Sequence, residues 1–578
     1  MGPEFGPEVR EEIRRLFDSE SWDELTERFY RDLEFGTGGI RGILGAGTNR
    51  MNEYVVRMTT QGLANYILKQ GGQDSLSVAI AHDPRRKSDV FALETALVLA
   101  ANGITAHLFS ELRPTPVLSF AVRYLKATAG VVITASHNPP EYNGYKVSWS
   151  DGGQIVPPHD KGIIEEVRGI KSLGQVRWMP RDQAEQEGLL RWIGPGLDEA
   201  YLDQVAAQIV QPDVLKAASQ SLGIVYTPLH GTGVTMVPRA LERTGLERVE
   251  VLESQREPDG DFPTVESPNP EEKAALKLAI ERASETGAQL VVATDPDCDR
   301  MGLAYRDKDG AFVLLNGHQI GSIFCHYLLD QLSRTGRLPA RPVIIKTIVT
   351  TELQRAIAES YGAELVDVLT GFKYIGEQIL LMEQEQSGRT FVFGGEESYG
   401  YLAGTYARDK DAVVSSQLAA EVAAWCAIRG KTLGDYMDDI YRQYGYYLEK
   451  GNSLTLKGRE GAGRIAGLME HFRAQAPERI SGREVMGIWD LIPGVKTDIR
   501  TGEKVRTGLP KANVLVYYLE DHGWVAMRPS GTEPKIKFYF ALNKDVGEAD
   551  LKEVKEHTRQ GLDKLDSDFM TMVEGFLE

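Results

Sequence analysis

The sequence predicts an α/β protein of three related α/β domains followed by a smaller α+β domain. Three observations predict it. The chain has 578 residues, roughly four domains at about 150 residues each. A strand–helix–Gly–strand plan recurs three times. The pattern then changes from about Tyr446 onward.

The first copy runs from the apolar strand Ser77–Ala81 through an Ala/Leu-rich helix and Asn102-Gly103 to the strand Thr105–Phe109. The second has strand Gly223–Tyr226, a helix near Val237–Thr244, Gly245 and strand Arg248–Leu252. The third has strand Val343–Lys346, a helix near Glu352–Ser360, Gly362 and strand Glu364–Val368. In each, Gly stands just past the helix, where a left-handed residue closes it. Apolar strands alternating with helices read as βαβ units with mixed, mainly parallel sheets. The last part carries strands Val514–Leu519, Trp524–Met527 and Lys535–Phe540 between two helical stretches, an α+β pattern. The expected domain limits are 1–209, 210–318, 319–443 and 444–578.

Composition narrows the function. Hydrophobic residues make up 42% and charged residues 26%, which suits a soluble globular chain. The net charge of −18 makes a general nucleic-acid binder a poor fit, so an anionic ligand needs a local site. The three cysteines, Cys298, Cys325 and Cys426, form no CxxC pair and suit a reducing cytoplasm. No run of about 18 apolar residues predicts a membrane span, and no secretory signal is expected. Met1–Phe5 reads as a cloning scar. No oligomerisation pattern is visible.

Five motifs could carry chemistry. Gly36–Gly42 (GTGGIRG) is a dense Gly segment whose backbone N–H groups could converge on an anion beside Arg41; its plain reading is a turn. Thr134–Pro139 (TASHNP) follows the buried strand Gly130–Ile133 and sets Ser136 beyond a strand end, where open α/β sheets bind ligands. Asp295–Arg300 (DPDCDR) follows the strand Leu290–Ala293. Its alternate carboxylates point the same way if the backbone is extended, and an oxygen-only set suits Mg²⁺ or Ca²⁺. Arg300 and Arg306 stand where an EF-hand needs Gly and Glu. Gly394–Gly400 (GGEESYG) offers Glu and Ser oxygens to sugar hydroxyls, though an ordinary Gly-bounded turn fits equally. Arg528–Lys535 (RPSGTEPK) gathers Arg, hydroxyls, Gly and Lys into an anion cradle. A hydroxyl nucleophile, a hard-metal site, a polyol loop and a phosphate cradle together suggest metal-assisted phosphoryl transfer on a phosphosugar.

On these residues the chain resembles the α-D-phosphohexomutase superfamily over nearly its whole length, and EFGTGGIRG makes it most similar to the phosphoglucomutase/phosphopentomutase branch. The resemblance implies four domains around a central cleft. It implies a phosphoryl group on Ser136, and Mg²⁺ held by Asp295, Asp297, Asp299 and a phosphoserine oxygen. A sugar monophosphate would be gripped by Arg528, Ser530, Gly531, Thr532 and Lys535. Glu396 and Ser398 would hold sugar hydroxyls, and Arg300 would offset charge. Gly371 and Lys373 match the domain-three specificity loop, and Lys410 matches a basic element after the sugar loop. His137 and Arg41 match active-site positions. Lys146 is the first choice for general base, beside the alternative that it stabilises phosphate charge.

The implied reaction interconverts glucose 1-phosphate and glucose 6-phosphate, with glucose 1,6-bisphosphate as intermediate and activator. Rival readings are a phosphopentomutase, a glucose 1,6-bisphosphate synthase, a metallophosphatase and a non-catalytic phosphosugar-binding protein. Three departures argue against a mannose-selective dual enzyme: Gly400 replaces the His that ends the GEMSGH loop of that branch, Glu397 replaces its Met, and Phe372 stands where that branch often has His.

Overall fold

The computed structural model describes residues 5–36, 38–71, 76–456, 458–530 and 535–577. The first sheet has the order β1-β5-β4-β2-β3-β6, with β1 Gly39–Ile43, β2 Ser77–His82, β3 Thr105–Phe109, β4 Ala129–Ile133, β5 Tyr142–Trp149 and β6 Leu190–Ile193. β2, β3, β4 and β6 run parallel, whereas β5 and β1 are antiparallel additions. Every residue of β4 is buried, as an apolar run in a parallel sheet covered on both faces requires. The helices Glu53–Gln70 and Ser88–Ala101 contribute Leu63, Ile67, Phe91 and Leu99 to a core with Val78, Ile80 and Val131. Full burial of each such side chain stabilises by about 1.5–3 kcal/mol.

The second sheet has the order β11-β10-β9-β7-β8. Its strands are β7 Gly223–Thr227, β8 Arg248–Val251, β9 Leu290–Thr294, β10 Met301–Arg306 and β11 Phe312–Leu315. Again the first strands are parallel, and β10 and β11 return antiparallel. Next come the parallel pair β12 Pro342–Thr347 and β13 Glu364–Val368, then the antiparallel pair β14 Thr390–Glu396 and β15 Gly400–Ala403. The expected strand–helix–strand units are all present. Gly103, Gly245 and Gly362 adopt φ of +74°, +76° and +66°.

The C-terminal sheet is antiparallel, in the order β16-β23-β22-β21-β18-β19-β20 with β17 paired to β18. These are β16 Tyr446–Thr455, β17 Arg479–Ile480, β18 Arg483–Asp490, β19 Val495–Asp498, β20 Lys504–Arg506, β21 Leu515–Leu519, β22 Trp524–Pro529 and β23 Lys535–Lys544. The helices Gly458–Ala474 and Leu551–Leu577 cover one face, where Phe472 and Phe569 pack with Tyr517, Phe538 and Phe540. The chain forms two compact units: Met1–Gly317 with Phe372–Thr432, and His318–Gly371 with Leu433–Glu578. No helix among the described residues is long and apolar enough to cross a membrane.

Four motif loops occupy one topological position. Each joins a strand to its antiparallel neighbour: β4 to β5, β9 to β10, β14 to β15 and β22 to β23. In the fifth motif Gly39–Ile43 forms the edge strand β1, paired with β5 on one side, and Thr37 lies outside the described residues. Gly39 is needed for close approach: a Cβ there would lie 1.9 Å from the Tyr145 carbonyl oxygen.

Candidate functional site

The serine loop, 134–141, is held by a buried arginine. Arg85, just beyond the end of β2, is 2% exposed. Its guanidinium donates to the carbonyls of Ser136 (2.6 Å), Pro139 (2.8 Å), Tyr142 (3.0 Å) and Asn138. Asp83 fixes it, lying 3.2 Å from Nε and accepting from the Arg85 backbone N–H and the Ser88 hydroxyl. Thr134 Oγ1 accepts the Ser136 N–H at 2.9 Å. Within this frame Ser136 adopts φ +53°, a conformation few non-Gly residues take. Its Oγ thereby donates to Asp295 Oδ2 at 2.8 Å and lies 3.2 Å from His137 Nδ1. Burial, with Arg300 adding to it, holds the His137 imidazole well below its usual pKa.

The three carboxylates converge, but not by extended alternation. Asp295–Asp299 is a tight turn: Cys298 N–H donates to the Asp295 carbonyl at 2.9 Å and Cys298 takes φ +54°. Its carbonyls are tied from three sides. Thr115 N–H donates to Asp297 O (2.9 Å), Thr232 N–H to Pro296 O (2.8 Å) and Ala412 N–H to Cys298 O (3.3 Å). Thr115, Thr232 and Ala412 each begin a helical segment. Their first N–H groups have no partner within the helix and are satisfied here by the loop.

The carboxylate oxygens are sorted. Asp295 Oδ1 accepts the N–H groups of Asp299 and Arg300, both at 3.0 Å, while Oδ2 faces Ser136. Asp297 Oδ2 accepts from Lys146 Nζ (2.8 Å) and Thr115 Oγ1 (3.1 Å). Asp299 Oδ2 lies 3.1 Å from Lys410 Nζ and 3.7 Å from Lys146 Nζ. Asp297 Oδ1 and Asp299 Oδ1 are buried without a hydrogen-bond partner among the described residues. Ligand oxygens of the three acids lie within 4.8 Å of one another, the only such group among the described residues. Orphaned buried carboxylate oxygens beside a third carboxylate and a hydroxyl fit a hard divalent cation.

The electrostatics agree. Burial, then repulsion from Asp297 and Asp299, pushes Asp295 well above the usual carboxylate range. Burial also acts to raise Asp297, but the charge of Lys146 outweighs it and holds Asp297 low. Burial acts to lower Lys146 and Lys410, and the neighbouring carboxylates outweigh it, so both ammonium groups are stabilised. Arg300 is held at 2.6 Å by Glu271 Oε1.

Lys410 explains the departure at Gly400. A Cβ at position 400 would stand 2.0 Å from Lys410 Cδ, so the lysine stem fills the space a larger residue there would need. Glu396 ends β14 opposite Gly400 and is buried; Ser398 lies in the following turn. Arg41 donates to Asn138 Oδ1 at 3.0 Å. Burial lowers the Lys373 ammonium, against the pull of Asp160 and Glu377. The first unit thus joins Ser136, His137, Arg41, Lys146, the three aspartates, Arg300 and Lys410 in one network.

Gly371, at φ +115°, and Arg528, Ser530 and Lys535 belong to the second unit. Arg528 lies on β22 opposite Lys537, and Ser530 N–H donates to the Lys535 carbonyl at 2.7 Å. Gly531 and Thr532 lie outside the described residues. Sequence reasoning missed Asp83, Arg85, Thr115, Thr232 and Glu271. Asp83-Pro84-Arg85 did carry a signal, being a charged run directly after a buried strand.

Comparisons with known proteins bear on the family and the fold. Family models described as phosphoglucomutase/phosphomannomutase, alpha/beta/alpha domains I, II and III, match residues 32–173, 199–310 and 316–444. A Staphylococcus epidermidis protein named phosphoglucomutase is 38% identical over 534 residues, 92% of this chain and 95% of that one. A Staphylococcus aureus protein of the same name is 36% identical over 531 residues, 92% and 93% of the two chains. Among solved structures, a Burkholderia thailandensis phosphoglucomutase/phosphomannomutase family protein matches with TM-score 0.64 at 19% identity, over 94% and 97% of the two chains. The open form of Paramecium pp63/parafusin matches with TM-score 0.68 at 15% identity, over 95% and 96%.

Proposed function

The chain belongs to the phosphoglucomutase/phosphomannomutase family, and on that premise we propose that it interconverts glucose 1-phosphate and glucose 6-phosphate through a phosphoserine at Ser136. The observation that carries the reading is the 2.8 Å contact of Ser136 Oγ with Asp295 inside a buried carboxylate triad that has two orphaned oxygens. Relatives named phosphoglucomutase, similar over nine-tenths of the chain, support the choice of glucose.

Asp295, Asp297 and Asp299 would hold Mg²⁺ together with an oxygen of phosphorylated Ser136. When bound, that ion supplies positive charge against the phosphoryl oxygens during transfer. Arg85 keeps the serine in its left-handed conformation, so the hydroxyl is aimed before substrate arrives. Lys146, Lys410 and Arg300 supply fixed positive charge around the same atoms. Lys146, ion-paired to Asp297, suits the role of stabilising phosphate charge better than that of general base. His137 lies against the serine oxygen. Arg41 holds the far side of the serine loop through Asn138.

The bond from phosphorus to Ser136 Oγ would break as a sugar hydroxyl oxygen takes the phosphoryl group and its proton passes to Oγ. Transfer of the other phosphate of glucose 1,6-bisphosphate back to Oγ, with the proton returned to the sugar oxygen, would restore the phosphoserine. Glu396 and Ser398 would take the sugar hydroxyls, with Gly371 and Lys373 in the specificity loop. Arg528, Ser530, Gly531, Thr532 and Lys535 would grip the substrate phosphate. The buried free cysteines suit a cytoplasmic location.

The test is a mutase assay with Mg²⁺ and a trace of glucose 1,6-bisphosphate on glucose, ribose and mannose 1-phosphates, followed by phosphorus NMR. Glucose should dominate. A dominant ribose rate would make the protein a pentose enzyme, and release of phosphate alone would make it a phosphatase.

A further inference from the structure

We infer that Thr115 is a positioning residue of the metal site: it turns Asp297 so that Oδ1 is the oxygen left for the cation, and it couples cation binding to the docking of the helix Thr115–Tyr124. The inference rests on the reading of the triad as a cation site.

Thr115 is 3% exposed and makes two bonds to one residue 182 positions away. Its Oγ1 donates to Asp297 Oδ2 at 3.1 Å, and its backbone N–H donates to the Asp297 carbonyl at 2.9 Å. One residue thus fixes both the side-chain rotamer and the main chain of a single ligand. Lys146 Nζ also reaches Oδ2, but from a long, partly exposed side chain. A β-branched threonine has few rotamers, so its hydroxyl sets a direction that an ammonium on a flexible stem does not.

The platform is rigid. Thr115 stands between Pro114 and Pro116 at the first helical position. The preceding Arg113 is clamped by Asp198 through two bonds of 3.0 and 2.9 Å, and its N–H donates to the His82 carbonyl at 3.1 Å. With Oδ2 taken by two donors, Oδ1 is buried without a partner among the described residues. Partners behind a metal ligand fix which atom it presents, and removing one typically weakens metal binding about 10–100-fold. Because the same residue begins a helix, anything that binds the ordered triad also favours the docked helix.

The test uses the full chain and Mn²⁺ as a paramagnetic probe, with free ion measured by electron paramagnetic resonance. Thr115→Val should weaken Mn²⁺ binding about tenfold or more, and Thr115→Ser, which keeps the hydroxyl, should stay within about twofold of wild type. Thr115→Ala carries the same expectation as valine and replaces it if the valine variant fails to fold. Mg²⁺ should slow amide exchange in the 113–118 segment of wild type and Thr115→Ser, and less in Thr115→Val. Wild-type affinity in both hydroxyl-less variants would overturn the inference and leave the cation site standing. Serine as weak as valine would overturn it too, since packing rather than the hydroxyl would then matter. A wild-type protein that binds no Mn²⁺ would overturn the cation site itself, and the inference with it.

Discussion

Two groups of buried charge lie beside parallel strands, one in each compact unit, and they are finished differently. Lys346 on β12 is fully buried and closes on Glu352 Oε1 at 2.8 Å, Asp367 Oδ1 at 2.9 Å and the Thr350 carbonyl at 3.1 Å. Arg355 bonds the same two acids, so two cations meet two anions. The Asp295–Asp297–Asp299 group also has cations behind it, yet Asp297 Oδ1 and Asp299 Oδ1 lack hydrogen-bond partners among the described residues. Asp367 Oδ1 of the first group lacks one too but stands 2.9 Å from the Lys346 ammonium, whereas Arg300 Nε is 3.9 Å from Asp299 Oδ1. Breaking a closed cluster leaves a charge uncompensated. An open one costs stability and is kept for a ligand.

The comparison is broken or sharpened by substitution. The largest effect is expected at Ser136→Ala, which should lower turnover on the order of a thousandfold or more while sugar-phosphate binding persists; steady-state kinetics and calorimetry check both halves. Lys346→Met opens the closed cluster and should lower stability, by less than the roughly 3–5 kcal/mol of a fully buried broken pair because Glu352 and Asp367 are partly exposed and keep Arg355; denaturant unfolding measures it, and cation binding should be unchanged. Asp295→Asn should do the reverse. It abolishes cation binding, yet the metal-free protein should melt no lower than wild type, because one of three crowded carboxylates is neutralised. A clear drop in its melting temperature would mean that the triad is structural.

Smaller effects follow. Gly400→His must displace the Lys410 stem from Asp299 and should lower kcat about 10–100-fold with little change in melting temperature. The least is expected from acid. Burial acts to raise Glu352, but Lys346 and Arg355 outweigh it and bring its pKa to about 2. The carboxylate's contribution is complete above its unfolded value near 4.5 and drains as pH falls toward 2. Its partial exposure keeps the effect modest. Thermal melts of wild type and Lys346→Met between pH 5 and 3 should converge, to be checked by circular dichroism.

The fold and the motif loops were legible because each loop follows an apolar strand that cannot avoid burial. Ser136, the aspartates and Glu396 all announce themselves by that position. The holding residues were not legible. Arg85 acts through backbone carbonyls and Thr115 through one hydroxyl, and neither leaves a spacing pattern. The turn at Cys298 is not legible because a left-handed non-Gly residue has no sequence sign, so the sequence alone leaves open whether the triad converges by an extended backbone or by a turn. In the Gly-rich segment Gly39 serves close strand packing, a role that no spacing pattern signals.

The central claim is that Ser136 carries the phosphoryl group beside an open carboxylate triad. Its most direct test is phosphopeptide mapping after incubation with Mg²⁺ and glucose 1,6-bisphosphate. The account predicts one phosphoryl group, on Ser136, that is lost when glucose 1-phosphate or glucose 6-phosphate is added in excess. A phosphoryl group on any other residue, or none on a protein that still isomerises the sugar, would contradict it.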